Sequence, residues 1–269
     1  MDTNRIYNQD CVQGLKQLDS ESVDLVVTSP PYDNLRAYNG YSFDFESTAK
    51  ELYRVIKKGG VVVWVIADQT KNGSESGSSF RQALYFKEIG FNLHDTMIWQ
   101  KPNPIPLTHN RYEQAFEYMF VFSKGKPKAF NPILEKCLTV GNSLSLRKAG
   151  KVKNSAKRTR KETAETKETK YHKNIFIYNI GSGSSEGTEN HPAPYPEQLA
   201  YDQIITWSNQ NDVVLDPFMG SGTTAKMCLK TNRKYIGFEI SKEYCDIAQR
   251  RVQDISYQIN LFDLTEDHR

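Results

Sequence analysis

The chain is poor in the features that mark secreted, metal-binding or membrane proteins. Only 4 of its 269 residues are cysteine. Cys11, Cys137, Cys228 and Cys245 lie far apart, none in a C-x-x-C pair or beside histidine at ligand spacing. That spacing gives no reason to expect structural zinc, and free thiols fit a reducing compartment. Long hydrophobic runs are missing as well. None approaches the ~20 apolar residues of a membrane span, and the polar start Met1-Asp2-Thr3-Asn4-Arg5 has no apolar signal core. The expected location is the cytoplasm, with no membrane partner.

Charge of one sign is scarce too, at a formal +3 overall. Its distribution says more than its sum. From Arg147 to Lys173 there are 11 Lys and Arg against 3 Glu, a local +8 that leaves the rest of the chain near −5. One basic segment therefore supplies the positive balance.

What is present is a regular alternation of strand-like and helix-like segments. Val23 to Thr28 is β-branched and mostly apolar, and it runs into Ser29-Pro30-Pro31-Tyr32, where proline must end a central strand. A helix is expected over 47–57, stopped by Gly59-Gly60, and then a fully buried strand over 61–66. A second helix is expected over 80–89, with strands over 95–99 and 118–122. Later the pattern gives a helix over 196–207, a strand over 213–216 that breaks at Pro217, and a helix over 225–229. A strand over 235–239 and a helix from 242 to about 255 follow. Such alternation predicts an α/β fold built on a doubly wound, mainly parallel sheet.

One domain suits this length. Residues 1–126 and 191–269 are read as its two halves, and 127–190 as an insertion. Within the insertion, 148–170 has almost no apolar residues, so alone it cannot offset the entropy of ordering.

A strand-turn-helix with small residues at the turn lets a ligand approach the backbone at the carboxyl ends of the strands. Asp216-Pro217-Phe218-Met219-Gly220-Ser221-Gly222-Thr223 has that form. Glu239, ending the next strand, is placed to accept hydrogen bonds from two ribose hydroxyls. Together they point to a nucleoside-containing cofactor. No lysine follows Gly222, as a P-loop would need, and Ala225 stands where a dinucleotide fingerprint needs its third glycine. Asp216 would repel a pyrophosphate and suits the amine of a sulfonium amino acid.

Thr28-Ser29-Pro30-Pro31-Tyr32 together with the loop from Asp216 to Thr224 resembles the amino-methylating DNA methyltransferases. Their signature pairs [DNS]-P-P-[YFW] with D-P-F-x-G-x-G-T. The catalytic loop comes first here, an order similar to the family's β group, a circular permutation of the common Rossmann-like methyltransferase sheet. His191-Pro192-Ala193-Pro194-Tyr195-Pro196, Trp99-Gln100-Lys101-Pro102-Asn103 and Asn8-Gln9-Asp10-Cys11 also resemble family segments. The last implies that Asp10 contacts the cofactor adenine. The resemblance implies S-adenosylmethionine as cofactor, held by Asp10, Asp216, Pro217, Phe218, Gly220, Ser221, Gly222, Thr223 and Glu239. It implies a catalytic loop of Ser29, Pro30, Pro31 and Tyr32.

An exocyclic amine conjugated with its ring is a poor nucleophile until hydrogen-bond acceptors draw its nitrogen towards tetrahedral geometry. The resemblance assigns that work to the Ser29 hydroxyl and the Pro30 carbonyl, with proline fixing the loop in advance. Tyr32 would stack on the rotated base. Transfer to carbon 5 of cytosine would need a nucleophilic cysteine, typically after proline, and none of the four follows one. Serine at the head of the loop favours the cytosine 4-amino group, with the adenine 6-amino group as the alternative. RNA or protein methyl transfer, and a non-catalytic DNA-binding role, are the other readings.

Duplex DNA is the expected partner, and a cognate restriction endonuclease is a candidate functional counterpart. The working unit is a monomer or a homodimer. The insertion sits where the family keeps its target-recognition region, so Lys148, Lys151, Lys153, Lys157, Arg158 and Arg160 are expected to neutralise phosphates. Arg36 and Tyr38, beside the catalytic loop, form a second expected DNA surface.

Overall fold

The structure, a computed structural model, describes residues 1–31, 43–104, 106, 110–137, 143–146, 162–165, 168–179 and 196–266. The chain opens with β1 (Arg5–Asn8), α1 (Cys11–Lys16), β2 (Val23–Thr28), α2 (Phe45–Val55) and β3 (Ile56–Ile66). A short hairpin, β4 (Thr70–Lys71) and β5 (Ser74–Glu75), leads to α3 (Ser78–Glu88), β6 (Asn92–Gln100) and β7 (Phe116–Ser123). Then come β8 (Leu134–Lys136), β9 (Ser143–Leu146), β10 (Glu162–Glu165), β11 (Thr169–Tyr171) and β12 (Ile175–Ile177). The chain closes with α4 (Glu197–Trp207), β13 (Val213–Asp216), α5 (Thr223–Lys230), β14 (Lys234–Glu239) and α6 (Lys242–Glu266).

Eight strands form one sheet in the order β1-β14-β13-β2-β3-β7-β6-β12. Every neighbouring pair is parallel except those made by β7, which runs against β3 and β6. Period-two alternation places the core on both faces. Leu25, Val27, Val61, Val63, Val65 and Val214 face one cluster with α4, α5 and α6, through Leu199, Ile204, Ala225 and Ala248. Val26, Val62, Trp64, Ile66, Leu215 and Phe238 face the other, with Leu15, Leu52 and Phe86 of α1, α2 and α3. The doubly wound α/β sheet is the one the alternation predicts.

Three local expectations change. The helix expected over 47–57 ends at Val55, and Gly59-Gly60 lies inside β3 rather than stopping a helix. Burial of Ile56 and the Lys57–Asp24 ion pair at 2.7 Å draw the chain into the sheet early. Gly59 adopts φ +84°, and a Cβ there would meet the stem of Lys128 at 2.4 Å. The last helix continues to Glu266. Part of the polar stretch over 148–170 is paired: β10 runs antiparallel to β9, and β11 to β8.

Residues 1–131 and 174–269 form one compact unit, and 132–173 a second within the 127–190 stretch. Among the described residues no helix is long and apolar enough to cross a membrane. No group of His, Cys, Asp and Glu among them is arranged to hold a metal.

Candidate active site

Because β1, β14, β13, β2 and β3 are parallel, their carboxyl ends share one edge of the sheet. Ser29, Pro30 and Pro31 leave that edge directly after β2, with Pro30 buried. Asp216 ends β13, Glu239 ends β14, and Asn8 at the end of β1 is in register with Glu239. The expected catalytic loop and cofactor loop therefore start from adjacent strands.

Asp216 is fully buried. Its Oδ1 accepts from the Thr28 hydroxyl at 2.6 Å and from the Phe218 N–H at 3.0 Å. Its Oδ2 accepts from the Thr224 hydroxyl at 2.6 Å. Pro217 is buried behind it, and the Phe218 ring meets Phe43 edge-on at 5.1 Å. Gly220 and Gly222 turn the chain at φ +52° and +87°, values that glycine adopts without steric cost. At Gly222 the space is used by the protein itself, since a Cβ would meet Ala248 of α6 at 2.9 Å.

Glu239 is 9% exposed. Its Oε2 accepts from the Gly220 N–H and its Oε1 from the Ser241 N–H, both at 2.8 Å. Burial pushes its carboxyl above the ordinary range, against the lowering effect of those two N–H groups, and the nearby Asp216 charge pushes the same way. With N–H groups of Gly220, Ser241 and Ile240 at its roughly four acceptor positions, the carboxylate keeps acceptor capacity beside a glycine turn. That donor and acceptor set fits a ribose diol. Asp10 caps α1, accepting from the Gln13 N–H at 3.0 Å, and sits two residues beyond the register partner of Glu239.

Sequence reasoning missed a buried ionic group beneath the cofactor loop. Arg251 of α6 donates through Nη1 to the Ser221 carbonyl at 2.6 Å and its hydroxyl at 3.2 Å. Its Nη2 meets Glu197 Oε1 of α4 at 2.9 Å, and Lys226 Nζ of α5 reaches the same oxygen at 2.7 Å. Three helices are thus tied under Ser221. Lys226, a lone charge inside the otherwise uncharged run Thr223 to Leu229, was the available signal. Thr223 begins α5 and is buried.

Tyr32, Arg36, Tyr38, Lys148, Lys151, Lys153, Lys157, Arg158 and Arg160 lie outside the described residues. Three of the four thiols are raised mainly by burial: Cys11 to about 11, Cys228 strongly, and Cys245 in the same direction.

A mostly parallel, doubly wound sheet with a glycine turn after one strand and an acid at the end of the next is the frame of the Rossmann-like methyltransferase fold, which it shares with other nucleotide-binding sheets. The chain belongs to the DNA methylase family, the group of N6- and N4-amino methyltransferases, whose model matches residues 23–250. It is similar to the orphan methyltransferase M.BamHII of Bacillus amyloliquefaciens, 54% identical over 87% of this chain and 89% of that protein. The type II methyltransferase M.HinfI of Haemophilus influenzae is 29% identical over 97% of this chain and 71% of its own. Among solved structures, an M1.HpyAVI complex with S-adenosylmethionine matches with a TM-score of 0.62 and 27% identity, covering 92% of this chain and 98% of that one. The cytosine-N4-specific PvuII DNA methyltransferase matches in fold with a TM-score of 0.69 at 21% identity, covering 96% and 93%. The cofactor of this chain is S-adenosylmethionine.

Proposed function

We propose that the chain is a site-specific DNA methyltransferase acting on the 4-amino group of a cytosine rotated out of the duplex. The observation that carries this reading is the adjacency of two loops. Ser29-Pro30-Pro31 leaves β2 beside the Asp216–Thr223 loop that leaves β13, and Thr28 and Asp216 are joined at 2.6 Å.

When bound, S-adenosylmethionine supplies an electrophilic methyl group. The residues of the chain do the rest. Glu239 holds the ribose hydroxyls, Asp10 faces the adenine, and the turn through Pro217, Phe218, Gly220, Ser221, Gly222 and Thr223 lets the backbone approach the amino-acid portion. The Ser29 hydroxyl and the Pro30 carbonyl accept the two amino hydrogens of the base, so that the nitrogen lone pair is freed for in-line attack. Tyr32 stacks on the base. Three buried thiols with raised pKa values supply no nucleophile, in keeping with direct transfer.

Serine at the head of the loop supports cytosine. The permuted β-group arrangement is supported by chain order: residue 29 precedes residue 216, and the first strand pairs with β14 near the other end. In this reading the basic residues Lys148, Lys151, Lys153, Lys157, Arg158 and Arg160 hold DNA phosphates, and Arg36 and Tyr38 contact the strand next to the flipped base.

The test is transfer of labelled methyl from S-adenosylmethionine to duplex DNA, RNA and protein in parallel. Label in DNA alone is expected, and Ser29→Ala is expected to slow the transfer while cofactor binding persists. Label in RNA or protein instead would overturn the reading.

A further inference from the structure

We propose that Thr28 is a positioning residue, and that Asp216 acts as a clamp between the catalytic loop and the cofactor loop rather than as a ligand for the cofactor amine. The proposal rests on the methyl-transfer reading of this site.

The geometry of the Asp216 carboxylate carries it. Donors reach it from three different places: the last residue of β2, the backbone after Pro217, and the first turn of α5. Thr28, Thr224 and Asp216 are each fully buried. A carboxylate in a dry interior is costly unless donors surround it, so both oxygens are held in place by these bonds. The side chain is thereby directed across the sheet towards β2 and towards the start of α5. Sequence alone leaves this direction open, because a strand-terminal acid beside a glycine turn can point at the ligand or into the protein; the bonds to Thr28 and Thr224 settle it.

Thr28 immediately precedes Ser29, one Cα step of about 3.8 Å. A hydroxyl that ties Thr28 to Asp216 therefore sets where the Ser29 hydroxyl and the Pro30 carbonyl stand relative to the turn that holds the methyl donor. In-line transfer needs the amino nitrogen and the methyl carbon close and collinear, and a misplacement of about 1 Å costs about a hundredfold in rate. The Thr28–Asp216 bond is a direct buried connection between the two loops. Its loss should act on the chemical step more than on cofactor capture, because Glu239 and the Gly220–Gly222 turn are fixed by other bonds and packing.

The experiment compares wild type, Thr28→Val and Thr28→Ser. Valine keeps the shape of the side chain and removes the donor; serine keeps the donor. For each, the affinity for S-adenosylmethionine is measured by calorimetry without DNA, and kcat with duplex DNA at saturating cofactor. Thr28→Val is expected to lower kcat about tenfold to a hundredfold, with cofactor affinity within about twofold of wild type, and Thr28→Ser to recover most of the rate. Thr224→Val breaks the other arm of the clamp and is expected to lower kcat in the same sense, which supplies the reading should Thr28→Val unfold. An unchanged kcat in the folded variants would overturn the clamp, as would a loss of cofactor affinity with kcat intact at saturation. Wild-type protein that transfers no methyl to DNA would reject the functional reading and the clamp together, whereas an active wild type with indifferent variants rejects the clamp alone.

Discussion

The carboxyl edge of the large sheet and the small unit over 132–173 hold their polar groups in opposite ways. At the edge, Asp216, Thr28, Thr224, Lys226 and Arg251 are buried, and with the half-buried Glu197 they are joined by bonds of 2.6–3.0 Å. In the small unit, β8 and β11 are three residues each, β11 is exposed throughout, and Glu135 and Lys170 meet at 3.1 Å on the surface. The difference follows from the tasks proposed for them. In-line chemistry needs fixed atoms, while phosphate binding needs charge that water and salt can still reach.

The sharpest way to break this comparison is to remove one ionic partner from each region. Glu197→Ala leaves Arg251 and Lys226 as two buried cations facing each other, and it is expected to cost about 3 kcal/mol of stability in urea unfolding. Lys170→Gln is expected to leave the unfolding midpoint unchanged, because its pair is exposed. Equal effects would remove the distinction.

Next in size is Glu239→Ala, which deletes the acceptor assigned to the ribose. Its expected effect is a fall of roughly tenfold or more in S-adenosylmethionine affinity by calorimetry, with the fold retained. Glu239 also fixes a pH dependence. Its carboxyl titrates above the ordinary value of 4.5, so in the window just above 4.5 the folded protein holds a proton that the unfolded chain has released. Stability from this group therefore falls as pH rises through that window. Cofactor affinity is expected to move the other way, weakening as pH falls and one acceptor position becomes protonated. Glu239→Gln should flatten that profile.

Much of the edge was legible in the sequence. Val23 to Thr28, Val213 to Asp216 and Tyr235 to Glu239 are short, β-branched or apolar, and end at proline or acid, so strand and loop can both be read. The first strand and helix were not, because Arg5–Asn8 is half polar and ends at no proline or acid, and six residues of α1 are too few to show a helical period. Glu197, Lys226 and Arg251 stand far apart in sequence, and only packing α4, α5 and α6 together brings them under Ser221. Gly222 reads in sequence as room for a ligand, and the room belongs to Ala248. The boundary at Gly59-Gly60 is misleading because glycine stops a helix and bends a strand equally well.

A smaller effect separates the regions by charge. Replacing Lys148, Lys151, Lys153 and Lys157 with glutamine is expected to flatten the dependence of DNA affinity on salt, by about 0.9 in the log–log slope for each phosphate no longer neutralised. An unchanged slope would make the basic segment a spectator. The smallest expected effect is on thiol chemistry. Cys11, Cys228 and Cys245 are buried and raised in pKa, so alkylation in the folded protein should be slow at all three, and denaturant should release them.

The most direct test of the central claim is mass spectrometry of nucleosides from duplex DNA methylated by the purified chain. The account predicts N4-methylcytosine as the product. N6-methyladenine would contradict the choice of base and leave the amino-transfer geometry standing, and a methyl group on carbon 5 of cytosine would contradict the mechanism itself.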